Sequence, residues 1–424
     1  MISRVDYLKP FLANRLPPQL VVQFTNRCNA RCPQCGMRVS AQISRSTLSR
    51  QTLMRALDAA AAKGVRVLSF TGGEPLLHLD ELIELIDYAG SIGIPFVRTG
   101  TNGFLFRHSH KPDFEDRINR LAQRLSATCL RNFWISLDSA YAEVHEQMRG
   151  LDGVIAGIEK ALPIFHAHGL YPAANLGINR QLAGAATQNL RADRFVSPEA
   201  YLTAFYDGFC DAFDRFYRFT RHLGFTTVNA CYPMSISARE QSSGLNAVYA
   251  ASAIEDVVRF SDPEKAMLYK ALIDTIPKHR RHIRIFSPLS SLYMLDQQYS
   301  KPNVKPDAFG CRGGVDFFFI SAEDGNTYPC GFRGNENLGK FWNLNVDSLS
   351  PNGECHRCDW ECFRDPSELC APLLQSVHHP LRLSRRLYRN PTYLKHWLQD
   401  IRYYKACDWF NGRKPMNTRQ MGCF

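Results

Sequence analysis

Short apolar runs alternate along most of this chain with longer segments whose apolar positions recur at helical spacing. The runs Leu20-Val21-Val22-Gln23-Phe24, Val65-Arg66-Val67-Leu68-Ser69-Phe70 and Ile94-Pro95-Phe96-Val97-Arg98 read as buried strands. So do Phe133-Trp134-Ile135-Ser136-Leu137, residues 171–179 and Thr226-Thr227-Val228-Asn229-Ala230-Cys231. Between them, residues 80–88, about 113–126, about 141–168 and about 201–223 carry the helical period. About six alternations of strand and helix predict an α/β fold of parallel βαβ units with right-handed crossovers, curved into a partial (β/α)6 barrel. In such sheets, ligands gather at the C-terminal ends of the strands. Residues 181–198 show no strand pattern and are expected to form a loop over that end.

From about Lys301 the pattern changes to Gly-, Asn- and Cys-rich sequence, with Pro302 and Pro306 at the boundary. The last part is rich in arginine and aromatic residues. The expected division is a barrel over 1–300, a small Cys-rich domain over 301–372 and a basic helical tail over 373–424. A hydrophobic fraction of 45% is that of an ordinary globule, and no apolar run is long enough to span a membrane. With no signal-peptide core at its start, the chain is expected to be soluble and cytoplasmic. In that setting fourteen cysteines point to metal rather than disulfides.

The formal net charge of +11 favours acidic partners: nucleic acid, an anionic lipid surface or a phosphorylated substrate. Much of it is local, with four arginines in residues 381–389. A solvated helix face explains that run more simply than a specific anion site.

Chemistry concentrates at the strand ends. Cys28, Cys32 and Cys35 follow the first strand at C-x3-C-x2-C spacing. Three thiolates on one loop can close around three irons of a [4Fe–4S] cluster and leave the fourth open. Structural zinc wants a fourth ligand at short spacing, and none follows promptly. The second strand runs into Thr71-Gly72-Gly73-Glu74-Pro75, where two glycines permit close backbone approach and Glu74 adds a carboxylate.

Together, the cysteine triplet and the Gly-Gly-Glu-Pro strand end resemble the radical S-adenosylmethionine (SAM) superfamily, from about Leu20 to Cys370. The resemblance implies that Cys28, Cys32 and Cys35 hold a cluster whose open iron chelates SAM, and that reductive cleavage yields a 5′-deoxyadenosyl radical. It further implies that Gly72, Gly73 and Glu74 bind the methionyl amine, Ser136 and Asp138 the ribose hydroxyls, and Arg149 the SAM carboxylate through a bidentate contact. Asn102 is expected to shape the adjacent loop and face the same cavity. For Asp138 a turn or cap is the alternative, and for Arg149 an exposed salt bridge. One departure is Gln34, where the family often has an aromatic residue near the adenine; Met37 or Phe24 is expected to take that role.

The C-terminal cysteines resemble the auxiliary-cluster domains of such enzymes, the two-cluster SPASM form or the one-cluster twitch form. Residues 315–320 read as one strand of a hairpin turning at residues 323–326, between Cys311 and Cys330. Cys355, Cys358, Cys362 and Cys370 follow, at spacing that departs from the SPASM pattern. One auxiliary [4Fe–4S] cluster on Cys311, Cys330, Cys355 and Cys358 is expected. Two clusters recruiting Cys362, Cys370 and Cys407 are the runner-up, and tetrahedral zinc the bland alternative. Cys129, Cys210 and Cys231 read as inert core residues.

The expected function is a radical SAM oxidoreductase that abstracts hydrogen from a small-molecule or natural-product precursor. An external donor such as flavodoxin or ferredoxin would supply electrons, and the auxiliary cluster would accept one from the substrate. Three alternatives remain: a lipid- or isoprenoid-modifying enzyme held at a membrane surface by the basic tail, a peptide-modifying maturase, and a non-catalytic iron–sulfur protein for electron transfer or RNA binding. Shared fold does not fix the substrate or the reaction.

Overall fold

The structure is a computed structural model that describes residues 10–35, 44–248, 256–301, 308–408 and 411–421. Its centre is one sheet of nine strands in the order β7-β6-β5-β4-β3-β2-β1-β8-β9. The first seven are β1 (Gln19–Thr25), β2 (Val67–Gly72), β3 (Phe96–Thr101), β4 (Leu130–Ser136), β5 (Ala173–Gly177), β6 (Thr227–Cys231) and the two-residue β7 (Arg284–Ile285). All their pairings are parallel.

The crossovers are helices α1 (Arg50–Ala62), α2 (Leu79–Ser91), α3 (Phe114–Ala127), α4 (Ala142–Arg149), α5 (Val154–Ala167), α6 (Pro198–Leu223) and α7 (Asp262–His279). Side chains of alternate strand positions meet them in one large core. Leu20, Val22 and Phe24 of β1 join Leu68 and Phe70 of β2, Phe133 and Ile135 of β4, and Leu176 of β5. Period-two alternation then turns the other half of each strand inward. Those inward positions are largely polar and mostly half-buried, among them Arg98, Trp134, Ser136, Asn175 and Asn229. The outward face is packed; the inward face lines a chamber that solvent reaches.

Several expectations need adjustment. The segment 141–168 is two helices, because Gly150 and Gly153 take left-handed φ of 66° and 72° between α4 and α5. Residues 181–198 are not structureless: they hold a short helix, Ala185–Gln188, and a 3₁₀ turn, Ala192–Arg194, before Ser197 caps α6. A seventh strand, too short to leave a periodic signal, extends the sheet past β6.

The Cys-rich segment contributes β8 (Phe317–Ile320) and β9 (Thr327–Tyr328), an antiparallel hairpin where the sequence pattern predicts one. Less expected is its placement. β8 lies parallel to β1, with Gln19 opposite Phe317 and Val22 opposite Ile320, so it continues the barrel sheet. Helices α8 (Leu289–Ser300), α9 (Glu361–His378), α10 (Pro380–Arg389) and α11 (Pro391–Cys407) complete the chain. The tail folds back on the body: Tyr393, Tyr403 and Tyr404 are buried. Trp397 Nε1 donates to Leu369 O at 2.9 Å, and Arg280 pairs with fully buried Asp400 at 2.7 Å. Within α10, Arg382, Arg385 and Arg389 are exposed, as a solvated face requires. Among the described residues no helix is long and apolar enough to cross a membrane.

Candidate functional site

β1 delivers the chain directly into the cysteine loop, and β2 explains why that loop has its shape. Gly73 N donates to Thr25 O at 2.7 Å, and Glu74 N donates to Arg27 O at 2.8 Å. A Cβ on Gly72 would stand 2.1 Å from Thr25 O, and one on Gly73 2.1 Å from Arg27 O. Gly72 also holds φ at +138°. The close approach these glycines permit is therefore to the cysteine loop itself.

Glu74 is fully buried, and each of its oxygens has a backbone partner. Oε1 accepts from Leu76 N at 3.0 Å and Oε2 from Asn102 N at 2.6 Å. Burial pushes its carboxyl up to about 7, against the pull of those N–H groups. Asn102 continues the chain of contacts. Its Oδ1 accepts from Phe104 N at 2.9 Å, and its amide donates to Asn29 Oδ1 at 2.9 Å and to Cys28 Sγ at 3.7 Å. The ends of β2 and β3 thus brace the loop at its first cysteine.

β4 and α4 brace it at the other two. Asp138 is buried and makes a bidentate pair with Arg149: Nε to Oδ2 at 2.7 Å and Nη2 to Oδ1 at 2.9 Å. Gln34 Nε2 donates to the same Oδ2 at 2.8 Å, and Arg31 N donates to Arg149 O at 2.9 Å. Asp138 N donates to His145 Nδ1 at 3.0 Å, so that imidazole is neutral; burial lowers its pKa to about 4. Burial opposes the Arg149 charge, but Asp138 and the thiols beside it raise its pKa on balance.

In this arrangement Asp138 and Arg149 hold each other and the residue before Cys35. Ser136, two positions earlier on β4, points into the chamber and is half-buried. Phe24, expected near the adenine, faces away from the chamber; it is fully buried and packs edge-on against His78. Met37 lies outside the described residues.

The three thiols suit a cluster by their chemistry. Burial drives Cys32 up to about 12, and Asp138, Cys35 and Cys28 add to that, with Arg149 opposing. Cys28 is likewise raised by burial. Mutually repelling, desolvated thiolates are stabilised by bound metal, which takes the place of their protons. Among the described residues, no three His, Cys, Asp or Glu side chains are drawn tightly enough to grip a single metal ion.

The second set comes from three separated pieces of chain. Cys311 N donates to Cys355 O at 2.8 Å, Cys330 follows β9, and Cys358 precedes α9. Burial raises Cys311 to about 11, with Cys355 adding to it. Cys330 and Cys358 are raised as well, first by burial and then by their cysteine neighbours. The structure thus brings Cys311, Cys330, Cys355 and Cys358 together. Of the runner-up ligands, Cys407 packs within the tail, whereas Cys362 and Cys370 pack against the same apolar cluster as Cys311, Cys330 and Cys358, with Cys362 also reached by Arg98.

That last placement exposes residues the sequence reading missed. The start of α9 enters the chamber with Glu361 and Cys362. Gln19 Nε2 donates to Cys362 Sγ at 3.6 Å and Arg98 Nη2 at 3.7 Å. Cys231, expected to be inert core, faces the same space and accepts from Asn175 Nδ2 at 3.5 Å. Burial, with Asp365 adding, pushes Glu361 up to about 8; its Oε2 accepts from Tyr232 N at 3.3 Å. Trp134 fits because Gly100 beside it has no side chain: a Cβ there would lie 2.1 Å from the indole Nε1. Polar residues at inward positions of apolar strands were the available signal.

Residues 22–175 match the family model described as the Radical SAM superfamily. Over 183 residues the chain is 32% identical to a GTP 3′,8-cyclase of Campylobacter jejuni, covering 42% of this chain and 50% of that protein. It is 29% identical over 147 residues to an AdoMet-dependent heme synthase of Methanosarcina barkeri (34% and 38% covered). It is also 29% identical over 156 residues to the subtilosin biosynthesis protein AlbA of Bacillus subtilis (37% and 32% covered). The chain thus spans half or less of the length of these relatives. Among solved structures, native anSMEcpe with bound AdoMet matches 90% of this chain and 99% of its own at a TM-score of 0.50 and 16% identity, a likeness of fold.

Proposed function

We propose that this chain, whose residues 22–175 match the radical SAM superfamily model, is an enzyme that carries its SAM-cleaving [4Fe–4S] cluster on Cys28, Cys32 and Cys35 and abstracts hydrogen from a small-molecule or natural-product precursor held inside the barrel. When bound, the cluster and SAM supply a 5′-deoxyadenosyl radical; the protein positions it and excludes side reactions. Cys28 is oriented by the Asn102 amide, and the Cys32–Cys35 turn by Gln34 and Arg149 through Asp138. Gly72 and Gly73 would offer backbone carbonyls to the SAM amine and Ser136 a hydroxyl to the ribose, while Glu74, with both oxygens held by Leu76 N and Asn102 N, would tie the strand ends around the amine site. Asp138 acts by fixing Arg149, and Arg149 offers charge to the SAM carboxylate.

Cys311, Cys330, Cys355 and Cys358 would hold an auxiliary [4Fe–4S] cluster, which would supply a one-electron acceptor for the substrate. The reaction is then an oxidation or a bond formation with loss of electrons. Flavodoxin or ferredoxin serves as the external donor. The observation that carries this reading is that four separate strand ends converge on one cysteine loop, each with hydrogen bonds to it or to its braces. A pure electron carrier or RNA-binding protein has no use for that convergence.

The deciding experiment is anaerobic reconstitution with iron and sulfide counting. About eight irons per chain are expected, falling to about four in the Cys28→Ala/Cys32→Ala/Cys35→Ala variant, which forms no 5′-deoxyadenosine. A wild type with about four irons and one zinc would remove the oxidising role of the second set.

A further inference from the structure

We infer that the barrel interior takes a substrate bearing an anionic group, carboxylate or phosphate, which Arg98 binds deep in the chamber. This inference rests on the reading that the chamber is the substrate site, and adds the chemical class. Arg98 is on β3 with its side chain inward, where it donates to Ser69 Oγ and to Cys362 Sγ, the latter at 3.7 Å. Both partners are neutral. Among the described residues no aspartate or glutamate pairs with Arg98. The chamber carboxyl, Glu361, is turned instead to Tyr232 N and Cys231. A half-buried guanidinium has a planar fork of donors that matches carboxylate or phosphate, and leaving it without a counter-anion is costly.

The rest of the wall supports a ligand there. Ser69, Arg98 and Asn132 occupy one layer of the sheet, since Ser69 pairs with Arg98 and Arg98 with Asn132. Ser136, Asn175 and Asn229 form a second layer across β4, β5 and β6. Asn132 is 4% exposed and its Oδ1 has no hydrogen-bond partner; Asn229 Oδ1 is likewise buried and unpartnered. Buried acceptors of this kind ordinarily find donors. A substrate that places its anion on Arg98 and its N–H or O–H groups on the asparagines completes both. Arg98 stands three residues, about 10 Å, before the end of β3. The anion is therefore anchored away from the cysteine loop, and the remainder of the molecule extends toward it.

The test uses full-length protein loaded with iron, sulfide and SAM. Crystals soaked in selenate should give an anomalous peak against the Arg98 guanidinium. That peak should vanish in Arg98→Gln and weaken in Arg98→Lys, which keeps the charge and loses the fork. Calorimetric titration with inorganic phosphate and with malonate should give a dissociation constant at least about tenfold weaker in Arg98→Gln for the better of the two ions. Tighter phosphate assigns a phosphorylated substrate, and tighter malonate a carboxylate. Selenate found only outside the barrel, or at equal occupancy in wild type and Arg98→Gln, overturns the proposal. Iron content and SAM affinity are measured on the same samples. If wild type lacks them the radical SAM reading fails, whereas their retention with no anion at Arg98 defeats this inference alone. Should Arg98→Gln not fold, the wild-type soak and Arg98→Lys still decide.

Discussion

The two cysteine sets solve the same problem by opposite routes. Cys28, Cys32 and Cys35 share one short loop, and distant elements hold that loop in shape: Glu74 and Asn102 from β2 and β3, Asp138 and Arg149 from β4 and α4. In the second set the cysteines themselves come from afar. Cys311 and Cys355 meet through a backbone bridge, with Cys330 and Cys358 brought in by β9 and the approach to α9. A local loop supplies three thiols from one short segment, and polar contacts from outside it hold its shape. A set assembled from scattered segments carries its four thiols on pieces of chain that are themselves tied by charged groups, Arg312 to Asp316 and Arg364 to Cys358 O. Both sets therefore depend on charged neighbours, and they differ in whether the braces or the thiols themselves come from afar.

The sharpest way to break this comparison is to exchange the losses. Cys330→Ser should halve the iron content while SAM cleavage by dithionite-reduced protein persists. The triple alanine variant of the loop should halve it too and abolish 5′-deoxyadenosine altogether. Equal effects on cleavage would erase the distinction. Next comes Arg149→Met, which leaves the Asp138 carboxylate buried without its cation. Urea denaturation should report a loss of about 3–5 kcal/mol, and SAM affinity should fall. The second set has buried ion pairs of its own, Arg312 with Asp316 beside Cys311 and Lys265 with Asp359 beside Cys358, and these stay intact in that variant.

His145 gives a smaller, pH-dependent effect confined to the first site. Its folded pKa is lowered to about 4, so its contribution is intact above the unfolded value near 6.5 and is lost as pH falls from there toward 4. Over that window wild type should lose about 3 kcal/mol more than His145→Asn, which keeps an acceptor for Asp138 N. Parallel pH curves would mean that the imidazole is not held neutral. The smallest effects come from a matched pair of glycines. A Cβ at Gly73 meets Arg27 O at 2.1 Å, and one at Gly310 meets Gly353 O at 1.7 Å. Each alanine variant should cost about 1–3 kcal/mol, with Gly73→Ala loosening iron in the loop and Gly310→Ala in the second set.

The barrel was legible because its strands bury one face against helices, and that leaves period-two and helical patterns in the sequence. The cysteine loop and the Gly-Gly-Glu-Pro strand end were legible because their residues are adjacent in sequence. The partnership of Asp138, Arg149 and Gln34 was not, since nothing in spacing reveals that Gln34 reaches a residue far along the chain. Arg98 and Asn132 read simply as polar interruptions in apolar strands. Their meaning depends on which face turns inward, and on Cys362 arriving from α9. Likewise, Cys231 looks like core until the sheet curves and places it in the chamber.

The pairing of β8 with β1 has a consequence in time. β1 carries the cysteine loop at its end, and its second neighbour in the sheet is made roughly 300 residues later; at 5–20 residues per second the ribosome needs about 15–60 s to deliver it. Throughout that interval one edge of β1 has no β8 to pair with, a hazard for any strand with unpaired backbone groups. Loading of the first cluster before β8 arrives would therefore act on a strand still half-paired. With the first cluster placed as proposed, the order of metal delivery and chain completion becomes part of how this protein is assembled.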